Sequence, residues 1–165
     1  MTGEHPTLEN LGYLLAKASQ RWNELLHEGF VREGFPEVRP SYGSVLLPLF
    51  EEDGLRMGEI ARRARLSKQT MTTMVRLAER DGLVERRPDL EDRRATRVEL
   101  TAKARRFRPA AETVLAELER EVLAALGERR VASLRRVLRE LSVLGLRSAP
   151  APPSASAPPP AARSA

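Results

Sequence analysis

Residues 83–100 of this 165-residue chain partly alternate apolar and polar side chains, while the segments on either side repeat their apolar residues every three or four positions. Alternation is the period of a half-buried strand, and three-four spacing is the period of an amphipathic helix. A chain patterned in this way is mainly α-helical and has room for one small sheet. Leu83–Pro88 and Ala95–Leu100 supply two Arg-rich strands, and the Asp-containing stretch Asp89–Arg94 supplies the charged turn between them.

Upstream, Leu8, Leu11, Leu15, Ala18, Trp22 and Leu25 step by three and four residues through a helix predicted over Thr7–Gly29. This is the seam spacing of helices packed at a shallow angle, and Gly29 is the expected stop. Pro36 and Pro40 bracket a loop. Ser41 can cap a second helix to about Glu52, which Pro48 should kink or end early, and Asp53-Gly54 follows as a turn.

Two short helical patterns come next. Met57, Ile60, Ala61 and Ala64 make one apolar face, Leu66-Ser67 forms a turn with Ser67 as N-cap, and Met71, Met74, Val75 and Ala78 form the buried side of a helix that stops at Gly82. Beyond the hairpin, Thr101 can cap a long helix towards Leu126. It is either interrupted at Pro109 or split, with Pro109 in the first turn of the second piece. Ala111, Leu115, Leu118, Val122 and Leu126 line one face, Gly127 breaks the pattern, and Val131, Leu134, Leu138, Leu141 and Leu144 continue it. Residues 148–165 are almost wholly Pro, Ala and Ser and are read as a disordered tail.

Composition removes several chemistries. Cysteine is absent, which excludes disulfides, thiolate nucleophiles and thiol-based sensing. With His5 and His27 as its two histidines, the chain is expected to hold no metal; Glu24, His27 and Glu28 on one helix come nearest to a ligand spacing. No Ser/His/Asp set and no phosphate-binding glycine loop is found, so neither an enzyme nor a cofactor is expected. The sequence has no membrane-length apolar run and no secretory signal at its start, and the expected location is the cytoplasm.

Charge adds a positive indication. Residues 56–108 carry 16 Lys and Arg against 8 Asp and Glu, a local balance of +8, whereas the whole chain stands at +5. A basic middle between acidic flanks suits a polyanion. Two short helices, a tight turn and a hairpin together make a winged helix-turn-helix over residues 55–101. Its second helix is of a size that a DNA major groove admits. With Met71, Met74, Val75 and Ala78 buried, that helix exposes Lys68, Gln69, Thr72, Thr73 and Arg76. Glutamine can pair with an adenine edge, threonine can meet a thymine methyl, and arginine can grip guanine or phosphate. At the hairpin tip, Arg93 and Arg94 can reach a minor groove, whose narrow A·T tracts attract arginine, and Asp92 can orient the Arg94 guanidinium.

The run Asp92-Arg93-Arg94-Ala95-Thr96-Arg97-Val98-Glu99-Leu100-Thr101 resembles the D-x-R-x5-L-T wing signature of the MarR (multiple antibiotic resistance regulator) family at every defined position, and residues Ser67–Val84 resemble its recognition helix with a closing Gly82-Leu83-Val84. The resemblance spans Thr7–Leu146. It implies a MarR-type domain over residues 7–146, mainly α with a small β-wing, in which helices at 7–29 and 102–146 intertwine two copies into a homodimer. The function it implies is a sequence-specific double-stranded-DNA-binding transcription regulator, a repressor released by a small-molecule ligand. A non-specific architectural DNA binder or a protein-interaction module is the alternative. Ser67, Lys68, Gln69, Thr70, Thr72, Thr73 and Arg76 would serve the major groove of a pseudo-palindromic operator, and Arg93 and Arg94 the wing. A small aromatic or anionic ligand would lie between the DNA-binding lobe and the dimer helices, with Tyr13, Trp22, His27 and Tyr42 as candidate lining.

Overall fold

The computed structural model describes residues 10–89, 92 and 95–144. The chain divides into two compact units, Met1–Ala125 and Leu126–Ala165. The first holds α1 (Leu11–Arg32), a 3₁₀ turn (Pro40–Tyr42), α2 (Gly43–Glu51), β1 (Leu55–Arg56), α3 (Met57–Arg63), α4 (Lys68–Arg80), β2 (Val84–Pro88) and β3 (Thr96–Leu100), followed by α5 (Ala102–Leu126), which ends at the boundary. The second unit contributes α6 (Glu128–Val143). The strands form an antiparallel sheet in the order β1-β3-β2, in which Leu55 faces Val98 and Val84 faces Leu100. The two-residue strand β1 lies outside the sequence expectation, because two residues are too few to show a period.

The first helix departs from its expected span. Asn10 caps it, its side chain accepting the Tyr13 backbone N–H at 2.9 Å, and residues 7–9 fall outside the described residues. Gly29 does not stop it. The residue is buried inside α1, and a Cβ there would lie 2.3 Å from Val114 Cγ1 of α5. The missing side chain therefore serves close helix approach rather than termination. The helix ends three residues later in a Schellman motif, with Gly34 at φ +87° and the Phe35 N–H donating to the Phe30 carbonyl at 2.8 Å. Phe30 and Phe35 then both meet Phe107 edge-on, at ring centroid distances of 4.9 and 5.2 Å.

Neither internal proline breaks its helix. The second helix starts through the 3₁₀ turn at Pro40 rather than by a Ser41 cap, and it continues through Pro48 to Glu51. Pro48 forfeits one backbone bond, and its ring is buried with Val45, Leu46 and Leu49 of the same helix, which favours the continued helix. Pro109 lies within α5, which stays continuous because Phe107, Ala111 and Val114 anchor it on both sides.

Ile60, Met71, Val75, Leu83, Val98 and Ala104 are fully enclosed and join the three-helix and sheet layers into one core with Leu26, Phe30, Leu46, Leu49 and Phe107. Met74, expected among the buried residues of α4, is half-buried. Of the predicted seam of α1, only Trp22 and Leu25 among the described residues pack against this core. Leu11 and Ala18 are exposed, Leu15, Trp22 and Leu25 are half-buried, and the buried positions are Leu26, Gly29 and Phe30. On α6, Leu134, Val137, Leu138, Val143 and Leu144 are exposed.

Candidate nucleic-acid interface

Helices α3 and α4 meet through a four-residue turn, Ala64 to Ser67. The Leu66 N–H donates to the Ala61 carbonyl and the Arg65 N–H to the Arg62 carbonyl, with Arg65 in the left-handed region at φ 53°. This is a Schellman geometry without the usual glycine. Ser67 then caps α4, its Oγ accepting the Thr70 backbone N–H at 3.1 Å and lying 2.8 Å from Thr70 Oγ1. Leu77, Ala78 and Glu79 close the far end, where Gly82 takes φ +76° and the Leu83 N–H donates to the Ala78 carbonyl.

Met71, Val75 and Ala78 hold α4 against the core, which leaves Lys68, Gln69, Thr70, Thr72, Thr73 and Arg76 exposed along one side. These residues fall into two groups. The hydroxyls of Ser67 and Thr70 are engaged with each other at the cap, and Thr72 Oγ1 donates back to the Lys68 carbonyl at 2.8 Å. The side chains of Lys68, Gln69, Thr73 and Arg76 have no hydrogen-bond or ion-pair partner among the described residues. Nearby arginines behave differently. Arg62 and Arg63 are paired to Glu59, Arg80 to Asp81, Arg86 to Glu79, and Arg87 to Glu85. The Arg62 and Arg63 hydrogen bonds pull the Glu59 carboxyl down to about 2. The α4 face thus keeps donors and acceptors that nothing among the described residues consumes.

The wing stem is built on like-charged pairs that a third residue resolves. Glu85 faces Glu99 and Arg87 faces Arg97 across β2 and β3. Arg87 lies between the two glutamates, at 2.8 and 3.6 Å, and Arg97 turns away to Asp89 at 3.1 Å. Asp89, read from sequence as a turn residue, is buried and also accepts Arg56 Nε at 2.7 Å. Sequence reasoning missed this role because one Asp in a run of charged residues carries no periodic signal. Asp92 is exposed, and its backbone N–H faces Asp89 Oδ1 at 3.4 Å. Arg93 and Arg94 lie outside the described residues.

The last two motif residues have structural work. Leu100 is buried, and the Thr101 hydroxyl donates to the Gly82 carbonyl at 2.7 Å while accepting the Ala104 N–H at 3.3 Å, so that it caps α5 and fastens it to the end of α4. Asp53 performs a similar service, accepting the Leu100 N–H and the Arg105 guanidinium at 2.8 Å each.

The structure does not bring the four candidate ligand residues together. Tyr13 is exposed near the start of α1, 5.9 Å from Lys17 Nζ. Trp22 lines a cavity of about 340 Å³ with Phe30, Arg39, Leu46, Phe107 and Leu115, among others. His27 lines a separate cavity of about 410 Å³ with Glu37, Arg39, Arg80 and Asp81, its Nδ1 donating to the Val38 carbonyl at 3.3 Å. Tyr42 is buried and its hydroxyl donates a short hydrogen bond to Asp81. Arg39, which borders both cavities, was not among the candidates.

The family model described as the MarR family matches residues 40–96, the stretch from the 3₁₀ turn to the first residue of β3. The match covers the winged-helix part of the fold and about a third of the chain. Among curated relatives, the chain is 30% identical over 89 residues to the HTH-type transcriptional repressor YetL of Bacillus subtilis, a match covering 53% of the chain and 52% of YetL, so the chain spans about half the length of that relative. Among solved structures it resembles the transcriptional repressor CouR bound to a 23-mer DNA duplex, with a TM-score of 0.69 and 26% identity over 84% of the chain and 99% of CouR. It also resembles a MarR family protein of Mycobacterium tuberculosis in complex with p-aminosalicylic acid, with a TM-score of 0.55 and 27% identity over 81% of this chain and 98% of that one. The mainly helical fold with a three-stranded wing sheet is the MarR winged-helix fold.

Proposed function

We propose that the chain is a sequence-specific double-stranded-DNA-binding transcription regulator, a cytoplasmic homodimeric repressor without enzymatic activity that a small molecule releases from its operator. The observation that carries this reading is the α4 face, where Lys68, Gln69, Thr73 and Arg76 are exposed with unspent hydrogen-bonding capacity. Such a surface fits base edges and phosphates in a major groove. Thr72 and the Ser67–Thr70 pair, already bonded within the helix, would contribute acceptors and methyl contact. Arg93 and Arg94 are assigned to the minor groove on the strength of the wing motif. YetL and CouR, both described as repressors, support the same reading.

Two further observations support the assembly and the ligand. The exposed apolar residues of α1 and α6 supply surface for a second copy, which would set two α4 helices about 34 Å apart along a duplex. The mostly apolar cavity beside Trp22 has room for a small aromatic acid, and Arg39 on its border can take the carboxylate. The M. tuberculosis relative binds p-aminosalicylic acid, a molecule of that chemical class.

The test is a titration of the chain onto the intergenic DNA upstream of its own gene and onto scrambled DNA at the same salt. A specific repressor should prefer the former by roughly 10³ or more. Equal affinities would leave a non-specific architectural binder in its place. Arg94→Ala should weaken the specific complex by about 1–3 kcal/mol.

A further inference from the structure

Asp89 joins three parts of the DNA-binding lobe through one wholly buried carboxylate. Oδ2 accepts Arg56 Nε at 2.7 Å and Arg97 Nε at 3.1 Å, and Oδ1 faces the Asp92 backbone N–H at 3.4 Å. Its own N–H donates to the Ala95 carbonyl at 3.0 Å, and the Ala95 N–H returns to the Asp92 carbonyl at 2.8 Å. Arg56 is the residue on which α3 begins, and Arg97 belongs to β3 and also donates to the Gly54 carbonyl at 3.2 Å. Backbone pairing alone attaches the hairpin to this region through two residue pairs, Leu55 with Val98 and Arg56 with Arg97. So short a ladder resists twisting poorly. Charge-assisted hydrogen bonds from two guanidiniums to one carboxylate are strong and directional, and they fix an angle as well as a distance.

We infer that Asp89 is a positioning residue for DNA recognition: through Arg56 and Arg97 it sets the angle of the wing relative to α3 and α4, and so the spacing along the duplex between minor-groove and major-groove contacts. This rests on the DNA-binding reading above. Asp89 itself touches no base, being buried. Its effect is transmitted through whatever the wing grips.

The experiment uses a duplex selected by the wild-type chain from a random pool. Asp89→Asn keeps the shape and removes the charge. It should weaken binding to that duplex roughly tenfold in the wild-type background and less than about twofold when Arg94→Ala is already present, as coupled residues in one network do. Hydroxyl-radical protection of the minor-groove flanks should fade while dimethyl sulfate protection in the major groove persists. Arg56→Gln severs the same link from the α3 side at a half-exposed side chain, should behave likewise, and decides the matter if Asp89→Asn does not fold. Unchanged binding, an equal loss in both backgrounds, or an even fading of both footprints would overturn the inference. If the wild-type chain selected no duplex, the DNA-binding reading would fall and this inference with it. A selected duplex to which the variants bind normally would remove Asp89 alone.

Discussion

At Gly29 a single hydrogen decides how closely two helices approach. With 2.3 Å between a hypothetical Cβ and Val114 Cγ1, α1 and α5 would have to separate or Val114 change its rotamer. Gly29→Ala should therefore destabilise the chain by about 1–3 kcal/mol despite alanine's better helix propensity, as read from chemical denaturation. Sequence alone could not separate this glycine from a helix stop, since both uses follow from the absence of Cβ. Tyr42 is another residue whose partner lies far along the chain, at Asp81. Arg80 and then the Tyr42 hydroxyl hold the Asp81 carboxyl below its ordinary range. A depressed carboxylate stabilises the fold above its unfolded value, and the contribution fades as pH falls through the folded value. Glu59 has the same sign, with its loss expected between its ordinary 4.5 and about 2. Tyr42→Phe should raise the Asp81 pKa and move acid unfolding to higher pH, measured by carboxyl NMR and circular dichroism across an acid titration.

Helix ends and helix interiors differed in how well they could be read. The Ser67 cap of α4 and the Gly82 close were legible because capping and left-handed turns need particular residues. Ser67→Ala should cost about 1 kcal/mol in thermal or chemical unfolding, the usual value of an N-cap hydroxyl. The exposed face of α4 was legible as well, because three-four periodicity fixes which side is buried once Met71 and Val75 are placed inside. Pro48 and Pro109 misled because a proline's local penalty is read from sequence, whereas the tertiary contacts that outweigh it are not. The ion pairs of Asp89 were hidden for the same reason: Arg56 lies 33 residues away along the chain.

Over the whole molecule, the heptad seam of α1 and the apolar positions of α6 were visible as patterns, but a single chain cannot reveal what they face. Leu134 and Leu138 are 45% and 41% exposed, more than a helix of a self-sufficient protomer needs to leave in water. If α6 forms the proposed dimer contact, the double substitution Leu134→Glu, Leu138→Glu should leave a monomer in sedimentation velocity while circular dichroism stays helical. An unchanged sedimentation coefficient would place the dimer contact elsewhere.

Three successive carbonyls at the end of α4 are received by the opening turn of α5: Asp81 by Lys103 Nζ at 2.9 Å, Gly82 by the Thr101 hydroxyl, and Leu83 by the Thr101 N–H at 3.1 Å. The far end of the thirteen-residue helix is therefore tied to α5, while Met71, wholly buried in its first turn, holds the Ser67 end against the core. The helix is about 20 Å long and is held along its whole length, so it moves with α5 as one body. A shift in the first turn of α5 would therefore carry with it the residues that would meet DNA.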